Sequence, residues 1–339
     1  MGDSLVETSS RLIARLIAKM RNARVVVVGD LIADQFISGR VSRVSREAPV
    51  LILEYNDTTI VPGGAGNAAA NAAALGARVD VVGLVGRDDE GRRLLKALPS
   101  RANVRGVVRA AGHATIVKTR ILAGGVHSAK QQVVRIDKPG PPVTPALRRR
   151  VQAALVRAAR GADAIIVSDY GSGVITPAMV QTAVRGAGRR KPLVLVDSRY
   201  AMLRFAGMTA ATPNESEVEA QLGITIGDDA GALETAGRSL LKRTRADAVL
   251  ITRGSRGMAL FEQGRDTEHI PIVGSDEVAD VTGAGDTVIA TFALALASGA
   301  SFSEAAHLAN HAGGIVVMKR GTATVSRVEL AASVAALDR

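Results

Sequence analysis

Asp280-Val281-Thr282-Gly283-Ala284-Gly285-Asp286-Thr287 runs directly into the small, apolar stretch Val288 to Leu296. Two glycines bracketing Ala284 let backbone N–H groups turn inward at the mouth of a helix, where unpaired amides and the helix dipole attract an anion such as a phosphate. Asp286 stands at the lip of that cradle. A carboxylate beside a bound phosphate is unfavourable unless it takes a proton from an attacking hydroxyl, so the local chemistry reads as phosphoryl transfer to an alcohol. An ordinary glycine turn capping a buried helix is spelled the same way, and the stretch by itself leaves both readings open.

Outward from this turn the chain is a succession of buried strands and helices. Val25 to Val28, closed by Gly29-Asp30, is a β-branched run with the look of a first, fully covered strand. Val79 to Val85, Ala164 to Ser168, Leu193 to Asp197 and Val249 to Thr252 repeat the pattern, with helices between them beginning near Arg87 and at Ala146. Such alternation from Val25 to Val317 predicts an α/β fold with a doubly wound, mostly parallel sheet. At 339 residues the chain could hold two domains or one large α/β domain, and 47% apolar with only 2% aromatic residues implies a core of Ala, Val, Leu and Ile.

Several loops at strand ends carry polar candidates. Asp34 lies just past the first strand, where open α/β sheets place ligands, although a turn or cap aspartate fits the same position. Pro62-Gly63-Gly64-Ala65-Gly66-Asn67 enters an Ala-rich helix, giving a ligand-binding turn or a packing device, with Asn67 offering donor and acceptor to a polyol. Thr212-Pro213-Asn214-Glu215-Ser216-Glu217 places Asn214 and Glu217 on one helical face, as a helix cap or as a pair holding hydrated Mg²⁺. Arg253-Gly254-Ser255-Arg256-Gly257 is flexible enough to wrap a nucleotide. The texture changes from Phe36 to Ile60 and from Thr115 to Ile136, where alternating residues predict a small accessory sheet able to close over a site. Lys118, Arg120 and Arg135 on it are candidates to grip an anionic ligand, with solvated strand positions as the plain alternative.

Composition excludes other classes. The net charge of +11 comes mostly from arginines scattered along helices without interleaved aromatics, which argues against nucleic acid as a partner. No cysteine is present, so disulfides and thiolate metal sites are excluded. Among His113, His127, His269, His307 and His311 only the last two stand one helical turn apart, and they have no third ligand. No apolar run is long enough to span a membrane and no signal-peptide pattern opens the chain, so a cytoplasmic location is expected. Residues 1–23 are expected to be a helical extension, with Ser9 and Ser10 as caps and Leu12, Ile13, Leu16, Ile17 and Met20 as one apolar stripe.

With these pieces in order, residues 24–335 resemble the ribokinase-like (PfkB) carbohydrate kinases, Pro62 to Ala77 matching that family's first signature and Asp280 to Phe292 its second. The resemblance implies Asp286 as catalytic base and the backbone at Gly283, Ala284 and Gly285 as the anion hole. It further implies Asp34, Gly63, Gly64 and Asn67 on the sugar, Asn214 and Glu217 organising Mg²⁺ and ATP phosphates, and Thr252, Gly254, Gly257 and Asn310 lining the nucleotide pocket. The lid segments fall at about 36–60 and 115–137. Within the family, Ser42-Arg43-Val44-Ser45-Arg46-Glu47-Ala48-Pro49-Val50, Ser168-Asp169-Tyr170-Gly171 and Gly321-Thr322-Ala323-Thr324-Val325 resemble the kinases of D-glycero-β-D-manno-heptose 7-phosphate. Ser172, Arg46 and Gly66 depart from that group, which commonly has Lys, Pro and Ala there. A bifunctional form of those kinases adds a nucleotidyltransferase, so a separate protein is expected for that step. A homodimer is expected through the lid edges. A requirement for a monovalent cation is left open, and so are the other sugars of the family. A sensing regulator without activity is disfavoured by the intact Asp286 and glycine cradle, and a nucleotide-binding oxidoreductase by the lack of Gly-x-Gly-x-x-Gly after the first strand.

Overall fold

The computed structural model describes residues 13–124, 130–274 and 280–337; Ser9, Ser10, Leu12 and His127 lie outside them. The valine run is β1 (Arg24–Gly29), in which Val25 to Val28 are wholly buried, as a strand covered on both faces must be. It pairs in parallel with β4 (Arg78–Gly86) and β8 (Ala164–Asp169). Outward from these lie β5 (Ala102–Ala110) on one side and β9 (Leu193–Ser198), β10 (Ala210–Ala211), β11 (Ala248–Thr252), β12 (Met258–Glu262) and β13 (Glu268–Ile270) on the other. The nine strands follow the order β13-β12-β11-β10-β9-β8-β1-β4-β5, and β12 alone runs against the others, antiparallel to both β11 and β13. The doubly wound, mostly parallel sheet expected from the sequence is therefore present. Its short members β10 and β13 and the strands β5 and β12 were not separately foreseen, because runs such as Ala102–Ala110 mix polar and apolar residues without a strong period.

Helices cover both faces. Residues 13–19 form α1, and α2 (Ala65–Ala74), α3 (Asp89–Ala97), α8 (Ala284–Ala297), α9 (Phe302–Val317) and α10 (Arg327–Leu337) share one core with it. Against the other face pack α4 (Pro145–Ala158), α5 (Pro177–Gly186), α6 (Glu215–Leu222) and α7 (Ala230–Thr244). Start signals are those the sequence advertises: Thr144 and Thr176 cap α4 and α5, each followed by proline, and Asp88 accepts from Gly91 N at the start of α3.

A second sheet, ordered β3-β2-β6-β7, is built from β2 (Leu31–Val44), β3 (Leu51–Gly64), β6 (Ile116–Gly124) and β7 (Gln131–Lys138). It begins at Leu31, five residues before the change of texture at Phe36, because the chain leaves β1 and enters β2 with only Asp30 between. Leu31 to Ala33 are buried under the main body and read as core, whereas the far half of β2 and all of β7 are largely exposed. The accessory sheet is thus rooted beside the carboxyl end of β1 and reaches away from it.

Candidate active site

α8 begins where the sequence places its cradle. Gly283 is the N-cap with φ of 79°, and a Cβ there would lie 2.4 Å from Asn67 Nδ2, so both conformation and space demand glycine. Of the three amides expected to form the anion hole, that of Ala284 donates to Val281 O at 3.2 Å and closes the turn. The amides of Gly285 and Asp286 lie in the first helical turn, where no carbonyl one turn back is available within the helix, and they carry the positive end of the dipole.

Asp286 sits in that turn with only 3% of its surface exposed. Asn67 Nδ2 donates to its Oδ2 at 2.9 Å and the Tyr170 hydroxyl donates to its Oδ1 at 3.2 Å. Burial nevertheless outweighs these two donors and pushes the carboxyl up to about 7, with the Asp34 charge adding to the rise and Lys118 opposing it. A buried carboxylate that titrates near neutrality is matched to proton abstraction from a hydroxyl. Asn67 is itself fixed: its Nδ2 also reaches Gly283 O at 3.2 Å, and its Oδ1 accepts from Asn71 Nδ2 at 3.1 Å one turn along α2.

The sugar-side candidates gather at the root of the lid. A Cβ on Gly63 would fall 2.4 Å from Asp34 Oδ2, and Gly64, with φ of 55°, approaches Asp30 O where a Cβ would lie at 2.5 Å. Asp34 is buried, paired with Arg120 at 2.5 Å and within 3.3 Å of the Thr322 hydroxyl. Arg120 also lies over the Phe36 ring at 5.4 Å. Arg135 is gripped by Asp137 through two bonds of 2.8 Å on the exposed strand β7. Lys118, opposite Asp34 in the register of β2 and β6, lies over the Tyr170 ring at 4.9 Å, and burial together with the nearby Arg199 charge lowers its pKa. Of the three lid cations named from the sequence, Lys118 alone has no carboxylate at ion-pair distance among the described residues.

On the nucleotide side, Asn214 and Glu217 form a full capping box for α6: Glu217 N donates to Asn214 Oδ1 at 2.9 Å, and Asn214 N to Glu217 Oε2 at 3.0 Å. The cap holds the Glu217 side chain beside Asp197 and within 3.6 Å of Arg199 Nε. Thr252 ends β11 and donates its amide to Pro213 O at 3.0 Å, which brings the α6 cap and the Gly254–Gly257 turn together. Gly254 and Gly257 both take positive φ, of 58° and 76°. Asn310, buried on α9, donates to Pro271 O at 2.7 Å and so ties that helix to the segment after β13.

Mg²⁺, which phosphoryl transfer from ATP implies, fits this corner. Asp197 receives no hydrogen bond to its carboxylate among the described residues, and burial with the Glu217 and Asp286 charges raises its pKa well above the usual range. That surplus of negative charge is what a cation would relieve.

The residues that sequence reasoning left without a role are Tyr170, Asp197, Arg199, Asn71 and Thr322. Asp197 and Tyr170 had a usable signal, since both stand at or just past the carboxyl end of a predicted parallel strand, the side on which open α/β sheets bind ligands. Thr322 stood in a stretch marked only by its resemblance, and Asn71 had no signal, because each acts through a partner distant in sequence.

The pfkB family carbohydrate kinase profile matches residues 22–329. A protein of Geobacter sulfurreducens called bifunctional protein HldE is 42% identical over 313 residues, covering 91% of this chain and 62% of its own length. Its namesake from Gluconobacter oxydans is 40% identical, covering 93% and 65% respectively. The chain thus spans less than two thirds of these relatives. Among solved structures, phosphofructokinase-2 of Escherichia coli in complex with fructose-6-phosphate superposes with a TM-score of 0.74 at 18% identity, over 94% of this chain and 99% of that one. Arabidopsis thaliana ribokinase complexed with ribose and ATP gives 0.70 at 21%, over 92% and 98%. The chain belongs to the pfkB family of carbohydrate kinases.

Proposed function

We propose that the protein transfers the γ-phosphoryl group of ATP to the anomeric hydroxyl of D-glycero-β-D-manno-heptose 7-phosphate. The observation that carries the transfer chemistry is the pairing of a buried carboxylate titrating at about 7 with the free first-turn amides of the same helix. Asp286 takes the proton from the sugar hydroxyl, held in orientation by Asn67 and Tyr170. Gly285 and Asp286 amides, with Gly283 making room, receive the oxygens of the transferred phosphoryl. Asp34 and the Gly63-Gly64 backbone hold sugar hydroxyls, and Lys118 is the lid cation left to meet the 7-phosphate. Thr252, Gly254, Gly257 and Asn310 line the nucleotide side, with Asn214 placing Glu217. Bound there, Mg²⁺ would offset charge on the β- and γ-phosphates.

The choice of sugar is supported by the stretch Ser42–Val50 and by identity near 40% to the HldE proteins. Incubation with Mg-ATP and heptose 7-phosphate, fructose 6-phosphate, fructose or ribose, followed by ADP release, tests it. Turnover confined to heptose 7-phosphate sustains the reading. Turnover with another sugar keeps the chemistry and discards the substrate, and ATP binding without turnover on any acceptor leaves a sugar or nucleotide sensor. A homodimer is part of the proposal: Val44, Val50, Tyr55, Val134 and Ile136 are exposed on the lid sheet, which a second copy would cover. Sedimentation of the parent and of a Tyr55→Asp, Val134→Asp variant decides it, a monomeric parent overturning it.

A further inference from the structure

We propose that Tyr170 is a positioning residue for the base, its ring held by a lid cation and by a cation of the main sheet so that its hydroxyl holds Asp286 in register. The inference rests on the kinase reading of the site and adds to it a residue to which neither signature assigns a part.

Tyr170 follows β8 in the tight turn Asp169-Tyr170-Gly171-Ser172. Buried Asp30 fixes that turn from below: its Oδ2 accepts from Tyr170 N at 2.8 Å and from Ser172 N at 3.2 Å, and its Oδ1 accepts from the Ser172 hydroxyl. Gly171, with φ of 87°, lets the chain reverse there. On the ring, Lys118 Nζ from β6 lies 4.9 Å from the centroid and the Arg199 guanidinium from the end of β9 lies 4.7 Å from it. Cations over an aromatic face are attracted to it, and here two elements that share no sheet are held to one ring. The hydroxyl at the end of that ring reaches Asp286 Oδ1 at 3.2 Å, while Asn67 holds Oδ2. The carboxylate therefore has one fixed donor on each oxygen.

Such an arrangement does two things for a base. It fixes the carboxylate plane, and it favours the charged form against burial. Other groups acting electrostatically on Asp286 are Asp34 of β2, Lys118 of β6 and Asp197 of β9; the two carboxylates oppose ionisation and the lysine favours it. Tyr170 is held high in its own titration by burial and by the Asp286 and Asp197 charges, so it stays a donor through the working range.

The test is Tyr170→Phe, which keeps the ring and its two cations and removes one oxygen. Kinase turnover is measured from pH 5.5 to 9 against the parent, with thermal unfolding and ATP affinity as checks on folding. Loss of a hydrogen bond to a charged group predicts a fall of about tenfold in kcat on the alkaline plateau. Loss of the same donor destabilises the carboxylate, so the acid limb moves to higher pH. A limb that shifts upward together with a lowered plateau sustains the proposal. A limb that stays in place overturns it, whatever the plateau does, since a merely structural tyrosine would lower activity without moving the titration. Should Tyr170→Phe fail to fold, Ser172→Ala replaces it: loosening the turn that Asp30 holds must lower the plateau and move the acid limb to higher pH, and an unchanged limb refutes the inference. If the parent itself phosphorylates no sugar, the kinase reading has failed, which is a different result from an active parent with an unmoved limb.

Discussion

Replacing Asp286 by Asn should abolish most turnover and, above neutral pH, make the ligand-free protein more stable. The side chain is 3% exposed and titrates at about 7 in the folded protein against 3.8 for an unperturbed aspartate. A folded-state pKa raised above the unfolded value means that the native state binds the proton more tightly, so stability falls as pH rises from about 4 to about 7 and stays reduced above that. About three pKa units correspond to roughly 4 kcal/mol, taken as an upper bound for a site that can relax. The amide removes that penalty. Its Oδ1 can keep the Asn67 donor and its Nδ2 can donate to the Tyr170 oxygen, so neither contact need be lost. Unfolding entropy for a chain of this length turns the full figure into a rise in Tm of about 5 °C, and half of it into about 3 °C. Loss of general-base assistance lowers kcat by about 10²–10⁴-fold with ATP affinity nearly unchanged. Thermal unfolding of parent and variant at pH 4.5 and pH 8, beside turnover at pH 8, is the assay. The reasoning is refuted if the variant is less stable at pH 8, if its gain is equal at the two pH values, or if it keeps more than a tenth of the parent's turnover.

Three further outcomes follow from the same geometry. The parent's kcat/KM should lose activity as pH falls through about 7, because Asp286 must be unprotonated to accept; an activity flat from pH 6 to pH 8 excludes it as the base. Gly283→Ala drives a Cβ into Asn67 at 2.4 Å in a left-handed turn, so kcat should fall about 10²-fold, read by steady-state kinetics, and stability by about 1–2 kcal/mol, read by urea unfolding. Arg120→Ala strands the Asp34 carboxylate in a buried setting and should cost about 3–5 kcal/mol in urea unfolding while raising the sugar KM; unchanged stability would mean that the pair is solvated.

What could be read from the sequence was local and repetitive. Valine runs identify the central strands because a parallel strand covered on both faces has no polar face to show, and the Gly283–Gly285 spelling identifies a helix mouth because no other residue type tolerates that turn beside Asn67. The capping box at Asn214 and Glu217 was legible as a cap and is one; what the sequence withheld was that the cap aims Glu217 at Asp197 and Arg199, which arrive from another strand. The lid cations illustrate the same limit. Lys118, Arg120 and Arg135 are all plain candidate cations in the sequence, yet Asp34 and Asp137, both opposite Lys118 in the register, pair instead with Arg120 and Arg135 and leave the lysine on Tyr170. Strand β5 escaped notice because its alternate residues are only partly buried.

The low aromatic content, read first as a statement about packing, has a consequence for chemistry. α2 presents Ala65, Ala68, Ala69, Ala72 and Ala73 to the core and packs against α8, whose Ala290 and Ala293 lie in the same buried cluster. Small side chains let two helices approach closely, and here the approach brings the first turn of α2 onto the first turn of α8. Asn67 of one helix can then bond both the Gly283 carbonyl and the Asp286 carboxylate of the other. A Leu or Phe among those alanines would push the axes apart and lengthen a bond that is now 2.9 Å, so the base would lose its donor before the fold lost its core. Alanine is therefore required at this seam for the distance it sets between two helix mouths, and the same residues that make the core unremarkable in composition hold the site to its geometry.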